Sequence, residues 1–383
     1  MTHWLGVPFL LLAAPLAVVC GCKTASDDTD ETRQSDSKAD EMAADVDSEL
    51  YWYQRGTDAA KAIWAKYRYR ADSALLRSAD ANAPLGFWLS AQAFDLLLDS
   101  VGTFWRKDLA AEAVDAYFRD FTSAYPNRRG HAYNDDILMW SVACTRAARI
   151  TNNKTYLLEA KELYDHLWAS QVDNALGGGM WWRSDDKSTK NACVNLPAVI
   201  VAVNLYEATR DVKYLLQSRN LYQWICDHLY NPDTGRVIDF VTKDGRRVEW
   251  DFSCNSGLFI GASMRLFRAT GKRVYFANAR KAADYMISAM SSRGVLKSCG
   301  QGDGGAFNGI AVRYLAELAR RPGCTKYRDF LVSNANAAWT SRRLSDGVNG
   351  PDWAMPPQTG DIIDPQTAVS AGMLYFAASR AFR

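Results

Sequence analysis

Thr151-Asn-Asn-Lys-Thr-Tyr156-Leu-Leu-Glu-Ala160, Thr209-Arg-Asp-Val-Lys-Tyr214-Leu-Leu-Gln-Ser218 and Thr270-Gly-Lys-Arg-Val-Tyr275-Phe-Ala-Asn-Ala279 are three copies of one segment. A weaker fourth copy runs Cys324-Thr-Lys-Tyr327-Arg-Asp-Phe330. The first two intervals between the tyrosines are 58 and 61 residues, the length of a pair of helices with their connections. Each copy reads as a turn followed by apolar residues at helical spacing, as in Tyr156, Ala160, Leu163, Tyr164 and Leu167.

Extended at this period, residues 50–383 divide into twelve helices that begin near Tyr53, Gly86, Leu109, Asp135, Thr155, Val194, Lys213, Ser256, Val274, Gly305, Lys326 and Pro365. Strand signals are confined to short pieces such as 236–241. The even-numbered helices are apolar nearly all round, as in Leu196-Pro-Ala-Val-Ile-Val-Ala-Val-Asn-Leu-Tyr206, whereas the odd ones carry charge on one face, as in 157–168. All-round apolar helices are buried and amphipathic ones face solvent. The pattern therefore predicts an all-α fold, an (α/α)6 barrel of six helical hairpins with six inner and six outer helices. An open solenoid would need polar capping repeats, and the last helix, 368–382, is too apolar for that. The 383 residues, long enough for two or three domains, thus hold one large one.

The beginning of the chain differs in character. Leu5 to Val19 is almost free of polar groups, too short to span a bilayer but suited to an export signal over 1–21. Val19-Cys20-Gly21-Cys22 resembles a bacterial lipobox, with Cys22 the lipidated residue and the outer membrane, at the cell surface, the expected location; a plain signal peptide is the alternative. From Thr24 to Glu49 there are ten acids and two bases and no aromatic residue, so 22–49 is expected to be a flexible tether. An acidic stretch after a lipidated Cys resembles the surface-export signal of Bacteroidetes lipoproteins. The formal net charge of +2 hides a body of +9. Its Lys and Arg are scattered along helices without a nucleic-acid motif, so no nucleic-acid partner is expected. Cys144, Cys193, Cys226, Cys254, Cys299 and Cys324 lack metal-binding spacing, so no metal or other cofactor is expected, and the six read as free thiols, with disulfides the alternative. A monomer is expected.

Antiparallel hairpins bring the N-termini of all inner helices to one end of the barrel. Polar and aromatic residues gather there: Trp88 and Gln92; Tyr133, Asn134, Asp135 and Asp136; Asn195; Trp250 and Asn255; Asp303. Such a rim offers hydrogen bonds to hydroxyls and flat faces to pyranose rings. The loop Gly177-Gly-Gly-Met-Trp181-Trp182 has no Lys-Ser/Thr ending and no preceding strand, so it is not a phosphate loop; it would carry the tryptophan pair over the groove. Glycoside hydrolysis needs two carboxyls, about 5–5.5 Å apart when one is the nucleophile and about 6.5–9.5 Å when water attacks. Asp135 and Asp136 open an inner helix and can reach the shorter separation. The helix N-terminus is expected to lower the pKa of a nucleophile, and a like charge next door to raise that of an acid. Two Asp at a helix start are otherwise ordinary caps, Asp303 has the same alternative, and each Trp is as readily a packing residue.

From Tyr51 to Phe382 the chain resembles glycoside hydrolase family 76, the bacterial endo-α-1,6-mannanases. The matching pieces are Phe87-Trp88 with Ala91-Gln92, Asn134-Asp135-Asp136, Gly177 to Trp182, Asn191 to Asn195 with Pro197, Leu205 to Thr209, Asn255 to Ala262, and Gly302 to Gly305 running on to Leu315. The resemblance implies an (α/α)6 fold, retaining hydrolysis of α-1,6-linked mannan without a metal, Asp135 as nucleophile and Asp136 as acid/base. Trp88, Gln92, Tyr133, Asn134, Trp181, Trp182, Asn195, Trp250, Asn255 and Asp303 are the candidate sugar-binding residues. A hydrolase of unsaturated glycuronides and a surface glycan-binding lipoprotein are the alternatives; the second has no use for a pair of carboxyls at a cleavage site.

Overall fold

A computed structural model describes residues 30–79, 83–101 and 107–383, with side chains from 48 onward and, after the second break, from 110. Among the described residues there are twelve α-helices: α1 Asp30–Tyr67, α2 Phe87–Val101, α3 Lys107–Ala124, α4 Asn134–Thr151, α5 Lys154–Gln171, α6 Ala192–Thr209, α7 Val212–His228, α8 Ser253–Thr270, α9 Arg273–Met290, α10 Gly304–Ala319, α11 Thr325–Ser341 and α12 Pro365–Arg380. Except for α1, every start lies within three residues of its expected position. The strands are short: β1 Thr189–Asn191, β2 Phe240–Thr242 and β3 Arg247–Val248 form one antiparallel sheet, and β4 Ser291–Ser292 and β5 Val295–Leu296 another.

The repeated segment works identically in its three strong copies. Thr151, Thr209 and Thr270 each donate from Oγ1 to the carbonyl four residues back, at Ala147, Leu205 and Leu266. Each also accepts the N–H two residues on, from Asn153, Asp211 and Lys272. The residue between is left-handed: Asn152 at φ 57°, Arg210 at 62° and Gly271 at 70°. This turn satisfies the end of the inner helix and reverses the chain into the outer one. The repeated tyrosine then fastens neighbouring outer helices. Tyr156, Tyr214 and Tyr327 donate to Asp115, Asp165 and Asp284 respectively. Asp165 and Asp284 lie nine residues beyond their own repeat tyrosine, and α7 has Gln223 at that position; Tyr275 instead meets Tyr222 edge to face at 5.0 Å.

The even helices form the inner ring. Along the chain α2 packs on α4, α4 on α6, α6 on α8, α8 on α10 and α10 on α12, and α12 returns to α2, closing the barrel and excluding the open solenoid. α6 is buried nearly all round and α5 on one face only, as their sequences demand. Small residues permit close crossings: a Cβ on Gly257 of α8 would stand 2.4 Å from the Ala311 Cα of α10, and one on Gly309 of α10 would stand 2.7 Å from the Ser370 Cα of α12. The last hairpin joins the two ends of the chain, because α12 takes α1 as its outer partner.

Two expectations about the beginning of the chain meet the structure differently. The export signal and Cys22 lie outside the described residues. Residues 30–49, expected as flexible tether, instead continue α1. This stretch has no Gly or Pro, and extending a helix already nucleated on the barrel costs little per residue. The six cysteines from Cys144 to Cys324 are free thiols.

Toward the C-terminal end of the inner helices, charge is buried. Asp95 and Asp99 of α2 take Arg146 of α4, Arg313 of α10 (2.6 Å to Asp95) and Arg380 of α12 (2.5 Å to Asp99). Burial alone would raise the Asp99 carboxyl, but Arg380, Arg146 and Arg313 overcome it and hold it below the usual range. A depressed carboxylate stabilises the fold above its unfolded pKa, and that contribution is lost as pH falls through the folded value. Asp99→Ala is therefore expected to cost about 3–5 kcal/mol at neutral pH, because it leaves buried guanidiniums uncompensated, and much less in acid. Urea denaturation at two pH values measures this.

Candidate active site

The start of α4 is fixed by the segments beside it. Nδ1 of His131 accepts the Tyr133 N–H (3.2 Å), turning the chain into the helix. The Asn134 N–H donates to the Trp182 carbonyl and its side-chain amide to the Trp181 carbonyl, both at 2.9 Å. Asn195 of α6 grips the same loop from the other side: Oδ1 accepts the Met180 N–H (2.7 Å) and Nδ2 donates to the Met180 carbonyl (3.1 Å). Gly177, Gly178 and Gly179, all at positive φ, let the loop fold over Trp224. Asn134 and Asn195, expected as hydroxyl ligands, are buried clamps on this loop.

The loop carries Trp181 inward and leaves Trp182 at the site. Trp181 is 1 % exposed, donates from Nε1 to Asp173 (2.7 Å) and has the Lys190 ammonium 4.4 Å from its ring centre, so neither face is open to a sugar. This corrects its expected role as a platform. Trp182 lies 5.3 Å from the Tyr133 ring, and its buried indole N–H faces Asp135 without a hydrogen bond of normal geometry. Tyr133 is held by Arg183, which donates to its hydroxyl (3.0 Å) and covers its ring.

Both carboxyls of the pair are raised above the ordinary value, for partly different reasons. Burial raises Asp135, and the Cys193 thiol, the Trp182 indole and the first main-chain N–H groups of α4 oppose the rise. The expectation that the helix N-terminus would lower it outright fails because desolvation outweighs these donors. Asp136 is pushed up to about 9 by burial, then by Asp135, then by Asp303. Asp135 has donors beside it, although its Oδ1 makes no hydrogen bond of normal geometry, and Asp136 has carboxylates; two like charges so close drive the pair toward one ionised and one protonated group. His131 Nε2 stands 3.7 Å from Asp136 Oδ2.

The remaining residues separate by environment. Trp88 is half-buried beside Phe307 (6.3 Å), and Trp250 is 59 % exposed with Phe240 and Phe252 against it. Asp303 is exposed at the start of α10 and makes no side-chain cap, so its carboxylate is left to act on Asp136. Gln92 is not at the rim: it is 1 % exposed, accepts from Arg313 (3.3 Å) and belongs to the buried charge cluster. Asn255 is also buried and donates to Asp239 (3.1 Å).

Asp239, Cys193 and His131 were not among the expected site residues. Asp239 is 8 % exposed, and burial followed by the charge of Asp135 raises its pKa. Its signal in the sequence is a lone acid within Val237-Ile-Asp239-Phe-Val241, where strand-like apolar neighbours imply burial. No three His, Cys, Asp or Glu side chains among the described residues gather as metal ligands.

Against this geometry the relatives can be placed. The sequence profile described as Glycosyl hydrolase family 76 matches residues 37–377. An α-1,6-mannanase of this family from Salegentibacter sp. HEL1_6 superposes with a TM-score of 0.80 at 29 % identity, over 86 % of this chain and 99 % of that one. An inactive variant of it, with asparagine at two consecutive aspartates, is solved in complex with α-1,6-mannotriose (TM-score 0.79, 28 % identity, covering 86 % and 99 %). A Listeria innocua protein matches at TM-score 0.80 and 25 % identity over 85 % and 96 % of the two chains. None of the curated proteins compared with the chain matches it. With twelve helices closed into a ring and a carboxyl pair opening one of its inner members, the chain belongs to glycosyl hydrolase family 76 and is a glycoside hydrolase.

Proposed function

We propose that this enzyme is an α-1,6-mannanase that cleaves within the mannan chain with retention of configuration. The observation that carries the reading is the consecutive pair Asp135-Asp136, whose surroundings favour an ionised first member and a protonated second. The mannotriose complex of the Salegentibacter relative, inactive when two consecutive aspartates are changed, supports the same substrate here. Asp135 attacks the anomeric carbon while Asp136 gives its proton to the departing O6. Asp136, now ionised, takes a proton from water, which attacks the β-linked glycosyl-enzyme and regenerates both groups. Trp182 and Tyr133 flank the pair, and Trp88 and Trp250 offer further aromatic surface to the chain of sugars. Export as a lipoprotein anchored through Cys22 to the outer membrane completes the proposal; Cys22→Ala should then release the protein from the membrane fraction.

Asp135→Asn and Asp136→Asn should each lower the release of reducing ends from α-1,6-mannan by at least about 10²-fold. A wild-type protein inert on that polymer, or variants as active as wild type, would refute the proposal. In the pH profile of kcat/KM the acidic limb reports ionisation of the first carboxyl and the basic limb loss of the second proton, the latter near 9. Asp303→Asn removes a carboxylate that raises Asp136, so the basic limb should move to lower pH. A carboxyl raised in the folded state costs stability as pH climbs from its unfolded to its folded value. Asp136→Asn is thus expected to raise Tm by a few degrees at pH 7 while abolishing turnover, which calorimetry checks.

A further inference from the structure

A cavity of about 380 Å³ lies at the opposite end of the barrel from the carboxyl pair, beside the buried charge cluster. On α4, Arg146 in its wall is ten residues beyond Asp136, roughly 15 Å along the helix. Nine arginines and one glutamate line it. Asp95 and Asp99 serve Arg146, Arg313 and Arg380, Glu317 holds Arg265 (3.0 Å), Glu207 holds Arg268 (2.8 Å) and Glu49 holds Arg383 (2.6 Å). Five acidic side chains thus face nine guanidiniums. Among the described residues, no acidic side chain is within ion-pair distance of Arg149, Arg320 or Arg321; Arg320 is bonded instead to the Arg383 main-chain oxygen (3.2 Å).

The repeat accounts for the imbalance. Arg149, Glu207 and Arg268 occupy the same position in three successive copies, two residues before the turn threonine. Glu207, on the helix between the other two, makes a two-point bond to Arg268, and Arg149 is left without a partner. Arg149 keeps part of its surface in solvent, and its partial enclosure in the wall, then the like charges of Arg146 and Arg265, pull its pKa down against Glu317. Deeper in the wall, Nη2 of Arg380 is buried without a hydrogen-bond partner, whereas Nε of Arg313, also without a hydrogen bond, lies 3.9 Å from Asp99 Oδ2; the Arg313 side chain is only 5 % exposed. The negative ends of the inner helices, each worth roughly half a charge, explain part of the arginine excess. They do not explain the void, since guanidiniums recruited only for helix ends would pack on the carbonyls of the last turn.

We propose that this cavity binds a phosphate group, held by guanidinium forks whose planar donor pairs match phosphate oxygens. Its volume falls within the range of small-molecule pockets, about 300–1,000 Å³, which leaves room for a phosphate monoester as well as for inorganic phosphate. The site is separate from the catalytic pair, and occupation neutralises the excess charge and ties α4, α8, α10 and α12 together.

The test is calorimetric titration of the full chain with inorganic phosphate and with a hexose monophosphate, against sodium chloride at matched ionic strength. Both phosphates are expected to bind and to raise Tm in a concentration-dependent way; the tighter of the two identifies the source. The double variant Arg149→Gln/Arg321→Gln should weaken phosphate at least about tenfold with kcat on mannan unchanged. Glu207→Gln, which frees Arg268, should tighten it. Chloride matching phosphate in its effect, or the double variant binding phosphate as the wild type does, overturns the proposal.

Discussion

Six helices that are apolar on almost every side have to be covered on every side, and in this protein they cover one another by closing into a ring. The outer helices then need only one apolar face each. Because inner and outer helices alternate along the chain, and α4, α6 and α8 pass to their outer partners through the same short turn, all inner helices point the same way. One end of the barrel consequently receives every inner N-terminus, together with the long connections that enter them. The positions of Asp135, Trp88, Asn255 and Asp303 near a common end follow from this directionality and require no separate device.

Helix direction also sorts the charges. Inner N-termini present free N–H groups and a positive dipole end, and there the carboxyls of Asp135 and Asp136 are buried. Inner C-termini present the opposite sign, and there arginines collect. At the first end the favourable dipole is outweighed by desolvation, which holds carboxyl pKa values high. At the second, ion pairs win and Asp99 stays ionised. Burial raises Asp136 and Asp99 alike, and their neighbours decide the outcome: carboxylates push Asp136 further up, and guanidiniums pull Asp99 down.

Much of this was legible in the sequence because it is periodic. The turn threonine, the repeat tyrosine and the all-round apolar helices place eleven of the helix starts within three residues, and the Asp-Asp pair is visible because it opens an inner helix. The site residues that the sequence does not place share a physical cause: polarity on an inner helix does not by itself mean orientation toward the rim. Asn134, Asn195 and Asn255 are polar because they hold buried loop backbone or a buried acid, and Gln92 because it serves Arg313. Trp181 and Trp182 are adjacent in an extended loop, so their rings go to opposite sides, and only the hydrogen bond to Asp173 tells which turns inward. Asp239 and Cys193 come from other segments of the chain, and nothing local announces their meeting with Asp135.

The pairing of α1 with α12 sets an order of events in time. Every other outer helix follows its inner partner immediately, so five hairpins can assemble as soon as their own residues are available. α1 is made first and its partner last, some 300 residues later, so until the end of the chain arrives its apolar face, including Trp52, Ile63 and Trp64, has no partner from α12 to cover it. Closure sets α12 on both α1 and α2 at very long sequence separation, which makes the final step slow and the unclosed chain sticky.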